Sequence, residues 1–323
     1  MRFLPVSHLK GNETLAVNIF SSNLQILVRE GATLSPKMIS RLKQYGIRSV
    51  YVVDEKMSKV LHGHVKDVIN TSLREKSAYN LKNSFEQFHK QVNLQKKSLR
   101  YGEVGELLFK EVKNISHDLI KEILAAADHQ ITMQDIKSLH DYQFKHAINV
   151  AVLSLIIGAE LNLKPDQLEN LALGALLCDI GFNWIEKKIV LKESKLNDIE
   201  IGEIQKHVAN GYQYVKDNTT FNAHVKSIIM HHHERMNGNG YPMGLGENNI
   251  HDLAKIVMIA DVYDALTSDR PHRKAYNQHE AIEYIMANAG TLFDFKYANI
   301  FTRKVTPYPV GSYVKLSNQQ KGS

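Results

Sequence analysis

The sequence predicts a mainly helical fold that begins with a small α+β unit, and three observations carry that prediction. Beyond residue 128 apolar residues recur at helical spacing almost throughout. Before residue 56 they alternate in short runs. Between the two lies a polar, lysine-rich stretch almost free of glycine and proline. Side chains wind around a helix every 3.6 residues and alternate across a strand, so the two periods separate the two elements. The chain therefore divides into a small α+β N-terminal domain at 1–55, a helical connector at 56–128, and a helical domain at 129–323 that ends in a short strand-like tail.

Within the first unit, Leu15, Val17 and Ile19 alternate, Ser21-Ser22-Asn23 turns the chain, and Leu24, Ile26 and Val28 alternate again. Ser35 before Pro36 is a helix N-cap with proline at the first helical position. Ile39, Leu42 and Tyr45 continue the helical period until Gly46 stops it. The β-branched run Ile47 to Val53 reads as a strand. This unit carries no catalytic pattern and reads as a packing or regulatory module. In the connector, Val65, Val68, Ile69 and Leu73 keep helical spacing, which predicts one or two long helices, with pairing to a second copy of the chain as one use for them. Farther on, Leu168, Leu171, Ala172, Ala175 and Leu176 form one buried helix face. Val257, Ile259, Ala260, Val262 and Ala265 form another, and Tyr313, Val314 and Leu316 mark the terminal strand signal.

Composition narrows the function classes. A chain of 323 residues with 43% hydrophobic and 23% charged residues can bury a sizeable core. A single cysteine, Cys178, excludes an internal disulfide framework. The opening MRFLPVSHLK lacks a signal-peptide run, and the most apolar stretch, Ile148 to Leu161, is interrupted by Asn149 and Glu160 and too short to span a bilayer. The expected compartment is the cytoplasm. Residues 1–128 hold 20 Lys+Arg against 13 Asp+Glu, but no basic block interleaved with aromatics. This predicts a solvated surface rather than a nucleic-acid interface.

Ionisable residues that interrupt apolar helices are the candidates for chemistry. Asp179 follows Cys178 after LALGALL, and Asp261 breaks IVMIADVYDAL with Asp264 nearly one turn later. A carboxylate in such surroundings is costly unless paired or bound to a metal, although Asp179 alone could equally cap a helix before Ile180-Gly181. His146 and His207, each taken singly, are ordinary structural histidines. The run HHHERMNGNGYP, from His231 to Pro242, couples adjacent imidazoles to a turn whose glycines allow close backbone approach. Together, five helix-associated segments each offer an imidazole, thiol or carboxylate.

The order His146, Cys178-Asp179, His207, His232-His233, Gly240-Tyr241-Pro242 and Asp261 in DVYDALTSDRP strongly resembles the HD-GYP family. That family is a branch of the HD-domain phosphohydrolases associated with hydrolysis of cyclic di-GMP, and the likeness covers roughly residues 130–300. It implies an HD-type helical domain and a metal-dependent phosphodiesterase acting on a cyclic dinucleotide. The implied metal ligands are His146, Asp179, His207, His232, His233 and Asp261, with Asp179 bridging two divalent transition-metal ions, and Cys178 is a further candidate ligand because a thiolate also binds iron or zinc. Iron or manganese, or else zinc, suits such imidazole and carboxylate donors. Two adjacent metals can activate a water and neutralise charge at a phosphodiester. Asp179 and Asp264 are the implied catalytic carboxylates, Asp264 by orienting a ligand from behind. Arg270 and Arg273 would hold substrate phosphate beside Gly240 and Tyr241.

The sequence departs from the family pattern at three places. The name-giving His-Asp pair is Cys178-Asp179, a lysine expected three residues after the aspartate is Phe182, and a glutamate four residues before His146 in three-metal members is Tyr142. The last change implies two metals rather than three. The first two imply weakened turnover. They also keep open a catalytically inactive chain that binds a cyclic dinucleotide or a protein partner as a signalling module, and an HD enzyme with another nucleotide substrate.

Overall fold

The computed structural model describes residues 2–21, 23–47, 49–53, 68–94, 102–126, 142–192, 194–268, 275–305, 314–315 and 321–322. Among these residues helices dominate, and the sheets are three small antiparallel pairs. Val65, Arg270, Arg273, Tyr313 and Leu316 lie outside the described residues.

The N-terminal unit closes around its own core. Strand β1 (Arg2–Pro5) pairs antiparallel with β4 (Ser49–Val52), and β2 (Ile19–Phe20) pairs with β3 (Ile26–Val28). Helix α1 (Pro36–Gln44) starts as expected, because Ser35 Oγ accepts a hydrogen bond from the Met38 amide. Leu15, Ile19, Leu34, Leu42, Val50 and Val52 fill the interior. Two expectations change. The alternation from Leu15 to Ile19 yields only a two-residue strand, with Leu15 tied to Val52 by a single bridge, so here alternation reports burial more than a ladder. β1 escaped the sequence reading because four residues are too few to show a period.

The connector resolves into α2 (Thr71–Leu94) and α3 (Gly102–Ala125). They are followed by α4 (Tyr142–Glu160), α5 (Pro165–Leu177), a 3-10 turn at Ile180–Trp184 and the short α6 (Lys187–Val190). The chain continues through α7 (Asp198–Asn218), α8 (Ala223–His231), α9 (Asp252–Thr267), α10 (Gln278–Ala287) and α11 (Phe295–Lys304). The terminal strand signal appears as β5 (Val314–Lys315) paired with β6 (Lys321–Gly322).

Helix α4 is buried from His146 through Gly158 on all sides, which explains its nearly unbroken apolar sequence. It packs against α5, α9, α2, α3 and α11. The apolar faces of α2 (Ala78, Leu81, Phe85, Phe88) and α3 (Leu108, Val112, Ile115, Leu119, Ile123) belong to the same continuous core as α4, α5 and α9. The expected connector helices therefore spend their apolar stripes inside the fold. No helix among the described residues is long and apolar enough to cross a membrane.

Candidate metal centre

Five segments bring the site together around α4. His146 projects from α4, and Asp179 sits where α5 has ended at Cys178 and the 3-10 turn begins. His207 comes from α7, His232 caps the C-terminus of α8 with His233 after it, and Asp261 and Asp264 come from α9. The turn after Asp179 can reach α7 only because residue 181 is glycine. A Cβ there would lie 1.7 Å from the His207 carbonyl oxygen. That close approach sets Asp179 beside His207.

Asp179, His207, His232 and His233 present donor atoms that all lie within 4.8 Å of one another. Asp179 Oδ1 is 3.3 Å from His207 Nε2 and 3.7 Å from His232 Nε2, while its Oδ2 faces His146 Nε2 at 3.5 Å. Asp261 is divided in the same way, with Oδ1 3.0 Å from His146 Nε2 and Oδ2 3.5 Å from His233 Nδ1.

The backs of the rings decide which nitrogen faces inward. His207 Nδ1 lies 2.7 Å from the Ile204 carbonyl, and His232 Nδ1 lies 2.9 Å from the Ile229 carbonyl. A carbonyl only accepts, so each Nδ1 carries the proton and each Nε2 turns a lone pair into the cluster. His146 Nδ1 faces Asp264 Oδ2 at 2.7 Å, and a carboxylate likewise only accepts, so that nitrogen also carries a proton. Asp179 Oδ1, His207 Nε2 and His232 Nε2 are buried without a hydrogen-bond partner. Orphaned buried acceptors of this kind are costly. A divalent cation bound by imidazole and carboxylate satisfies all three, so the residues fit a metal.

The charges agree. Burial works against ionising Asp179, but His207, His232 and the charge of His146 hold it well below the usual carboxylate range. Burial opposes Asp261 too, and His233 and His146 keep it low. Burial, then His232, hold His233 well below an ordinary histidine, which leaves it a neutral base. His146 goes the other way. Burial disfavours its charge, but Tyr142 and the hydrogen bonds to Asp261 and Asp264 raise it well above normal. A cation entering beside Asp179 and Asp261 would take the place of that proton.

The sequence profile of the HD domain matches residues 119–296, more than half of the chain. The chain belongs to the HD-domain family. Its Gly240-Tyr241-Pro242 turn places it in the HD-GYP branch. It is 35% identical over 209 residues to a cyclic di-GMP phosphodiesterase of Pseudomonas aeruginosa, covering 64% of this chain and 50% of that protein. It is 34% identical over 140 residues to a cyclic di-GMP phosphodiesterase response regulator of Xanthomonas campestris, covering 43% and 37%. A 3'3'-cGAMP-specific phosphodiesterase of Vibrio cholerae is 33% identical over 163 residues, covering 50% and 37%. The chain thus spans half or less of the length of these curated relatives. A solved HDG"Y"P protein from Bdellovibrio bacteriovorus shares the fold, with a TM-score of 0.55 at 20% identity over 94% of this chain and 98% of that one.

The HD-GYP signature turn is held by a residue to which the sequence assigned no separate role. Glu234 is fully buried, and its two oxygens accept from the Met243 and Leu245 amides at 2.8 and 2.9 Å. A Cβ on Gly240 would lie 2.3 Å from Glu234 Cα, so only glycine lets the turn fold back this closely. Tyr241 then stacks on His233, with centroids 4.7 Å apart, and its amide donates to the His233 carbonyl. A carboxylate between two ligand histidines and a Gly-rich turn was the available signal, though nothing in the sequence says which amides it meets.

One expected role changes. Cys178 is expected as a ligand, but its thiol donates to the Ala175 carbonyl at 3.2 Å inside the apolar core and forms no hydrogen bond with the cluster. Burial, then the charges of Asp179 and Asp261, push its pKa well above an ordinary thiol. The cysteine side chain is shorter than an imidazole, and turning into the helix satisfies it. Asp264, expected to act by orienting a ligand from behind, has its oxygens held by His146, Asn149 and Ser268. It positions His146 rather than facing the centre. The aromatic departures both stack on ligand rings. Phe182 lies 4.2 Å from His207 at an interplanar angle of 11°, and Tyr142 lies 5.3 Å from His146 at 18°.

Proposed function

We propose that this chain is a metal-dependent phosphodiesterase that hydrolyses a cyclic dinucleotide, cyclic di-GMP, at a two-metal centre. The single observation that carries the proposal is the convergence of Asp179 Oδ1, His207 Nε2 and His232 Nε2 as buried polar atoms with no hydrogen-bond partner. The names of the curated relatives support the substrate class.

His207, His232, His233 and Asp179 would hold one cation, and His146, Asp261 and the second oxygen of Asp179 would hold the other. The division of both carboxylates between two sets of imidazoles supports that pairing. Divalent cations in such a site supply Lewis acidity and counter the charge that develops on the phosphodiester. The protein's own part is orientation. Backbone carbonyls and Asp264 lock three imidazoles with Nε2 inward, and Tyr241 walls His233. Arg270 and Arg273, by family resemblance, would add paired donors to phosphate oxygens. Iron, manganese or zinc fits a donor set of imidazoles and carboxylates.

The test is elemental analysis of the purified chain together with turnover on cyclic di-GMP. Asp179→Ala is expected to lose both metal and turnover, whereas Arg270→Ala with Arg273→Ala keeps metal and weakens substrate binding. A chain that holds no metal at full purity would sink the proposal. The second reading, an inactive chain that binds a cyclic dinucleotide or a protein partner, draws support from Phe182, whose ring covers a face of His207 where the family carries a lysine. Bound metal and ligand with background turnover would favour it.

A further inference from the structure

We infer that Arg74 and Glu75, on α2, are positioning residues for the ligand His146, so that the seating of α2 on α4 sets how tightly the centre holds a divalent cation. The inference rests on the metal-centre reading above and goes beyond it. Both residues lie upstream of the region matched by the HD-domain profile.

Arg74 is 1% exposed, an expensive place for a guanidinium unless its donors are used. Its Nη1 donates to Asn149 Oδ1 at 2.5 Å. Asn149 is equally buried, and its Nδ2 donates to Asp264 Oδ1 at 2.9 Å. Asp264 Oδ2 in turn accepts from His146 Nδ1 at 2.7 Å. Three consecutive hydrogen bonds between buried side chains therefore run from α2 to a ligand imidazole. Their direction is self-consistent. A guanidinium only donates and a carboxylate only accepts, so the Asn149 amide has one satisfying orientation.

A second contact lies beside the first. Glu75 accepts from Lys145 Nζ at 2.7 Å, with both side chains largely buried. Lys145 precedes His146 by one residue and Asn149 follows it by three, so α2 grips α4 on both sides of the ligand. Sliding α2 by one residue, about 1.5 Å along its axis, would break both contacts. The Asp264 carboxylate would then lose the donor chain that fixes it, and His146 would lose its fixed ring angle. The stretch read from sequence as a connector thus reaches the centre through named atoms.

The test is calorimetric titration of the metal-stripped full chain with Mn²⁺, with melting curves of each metal-free variant alongside. Arg74→Met and Asp264→Asn are each expected to weaken Mn²⁺ binding about tenfold, as changes behind a ligand histidine do. The double variant is expected to bind no more weakly than Asp264→Asn alone, because both changes act through one imidazole. Arg74→Lys keeps the charge without the planar fork and is expected to recover part of the loss. Glu75→Gln gives an independent comparison should Arg74→Met fail to fold, with binding about threefold weaker. Native affinity in Arg74→Met or Glu75→Gln, or additive losses in the double variant, overturns the inference. A native chain that binds no Mn²⁺ overturns the metal-centre reading itself, which distinguishes the two failures.

Discussion

Two imidazoles of the centre, His146 and His207, are each held from behind and covered on one face. His207 shows both, with a backbone carbonyl at Nδ1 and the Phe182 ring stacked on it. The sequence marks Phe182 as a lost phosphate contact, and the structure shows what the ring does instead. Phe182→Lys is expected to restore a charge-assisted contact to substrate, lowering KM for cyclic di-GMP about tenfold for a bond of roughly 1.5 kcal/mol. Steady-state kinetics at matched metal occupancy checks this, and an unchanged KM would mean that position 182 does not meet the phosphate. Glu234→Ala leaves two amides of the signature turn without their acceptor and is expected to cost about 2 kcal/mol of stability. Urea denaturation measures it, and native stability would show that water replaces the carboxylate. Asp179 and Asp261 stood out in the sequence because a carboxylate among apolar residues needs a reason, whereas His146 and His207 were legible as ligands only through the resemblance to the HD-GYP family. The inward nitrogens of the imidazoles were not legible, since those depend on carbonyls such as Ile204 and Ile229 that every sequence contains.

At the scale of elements, helices α2 and α3 decide more than a connector would. Phe88 of α2 packs on Tyr214 of α7, with centroids 5.1 Å apart, and edge-on to Trp184 of the 3-10 turn at 6.5 Å. It therefore ties α2 to the same helix that carries His207. Phe88→Ala is expected to destabilise the fold by about 3–5 kcal/mol through a cavity at that junction. Thermal unfolding measures the loss, and a change within experimental error would show that α2 docks weakly. Helical spacing in 56–128 was legible, but its partner was not. An apolar stripe fits another copy of the chain as readily as α4 and α5, and only the fold assigns it.

The whole molecule joins two cores of different kinds. The N-terminal unit closes on itself, whereas nearly all the buried apolar residues described from Val68 to Val305 form one cluster around the centre, Ile185 and Val208 lying outside it. Because the ligands come from α4, α7, α9 and the ends of α5 and α8, a bound cation would stabilise the helical assembly as a unit. Mn²⁺ at a hundred times its dissociation constant is expected to add about 2.7 kcal/mol, so a chelator should lower the melting temperature measurably. An unchanged melting curve after metal removal would mean that no cation binds the folded chain in preference to the unfolded one.

By itself the sequence determined the mainly helical class, the Ser35 cap of α1, the apolar faces of α5 and α9, and six of the residues gathered at the centre. The elements are legible because periodicity and capping are local properties written in neighbouring residues, and the six centre residues because their order along the chain resembles that of the HD-GYP family. Tertiary structure alone decided that Cys178 turns away, that His146 is the ring Asp264 stands behind and that Glu234 pins the signature turn. It also decided that Arg74 reaches the centre through Asn149. Each of those facts depends on a distance between segments far apart in the chain, and a hydrogen bond has direction and length that composition and spacing do not encode.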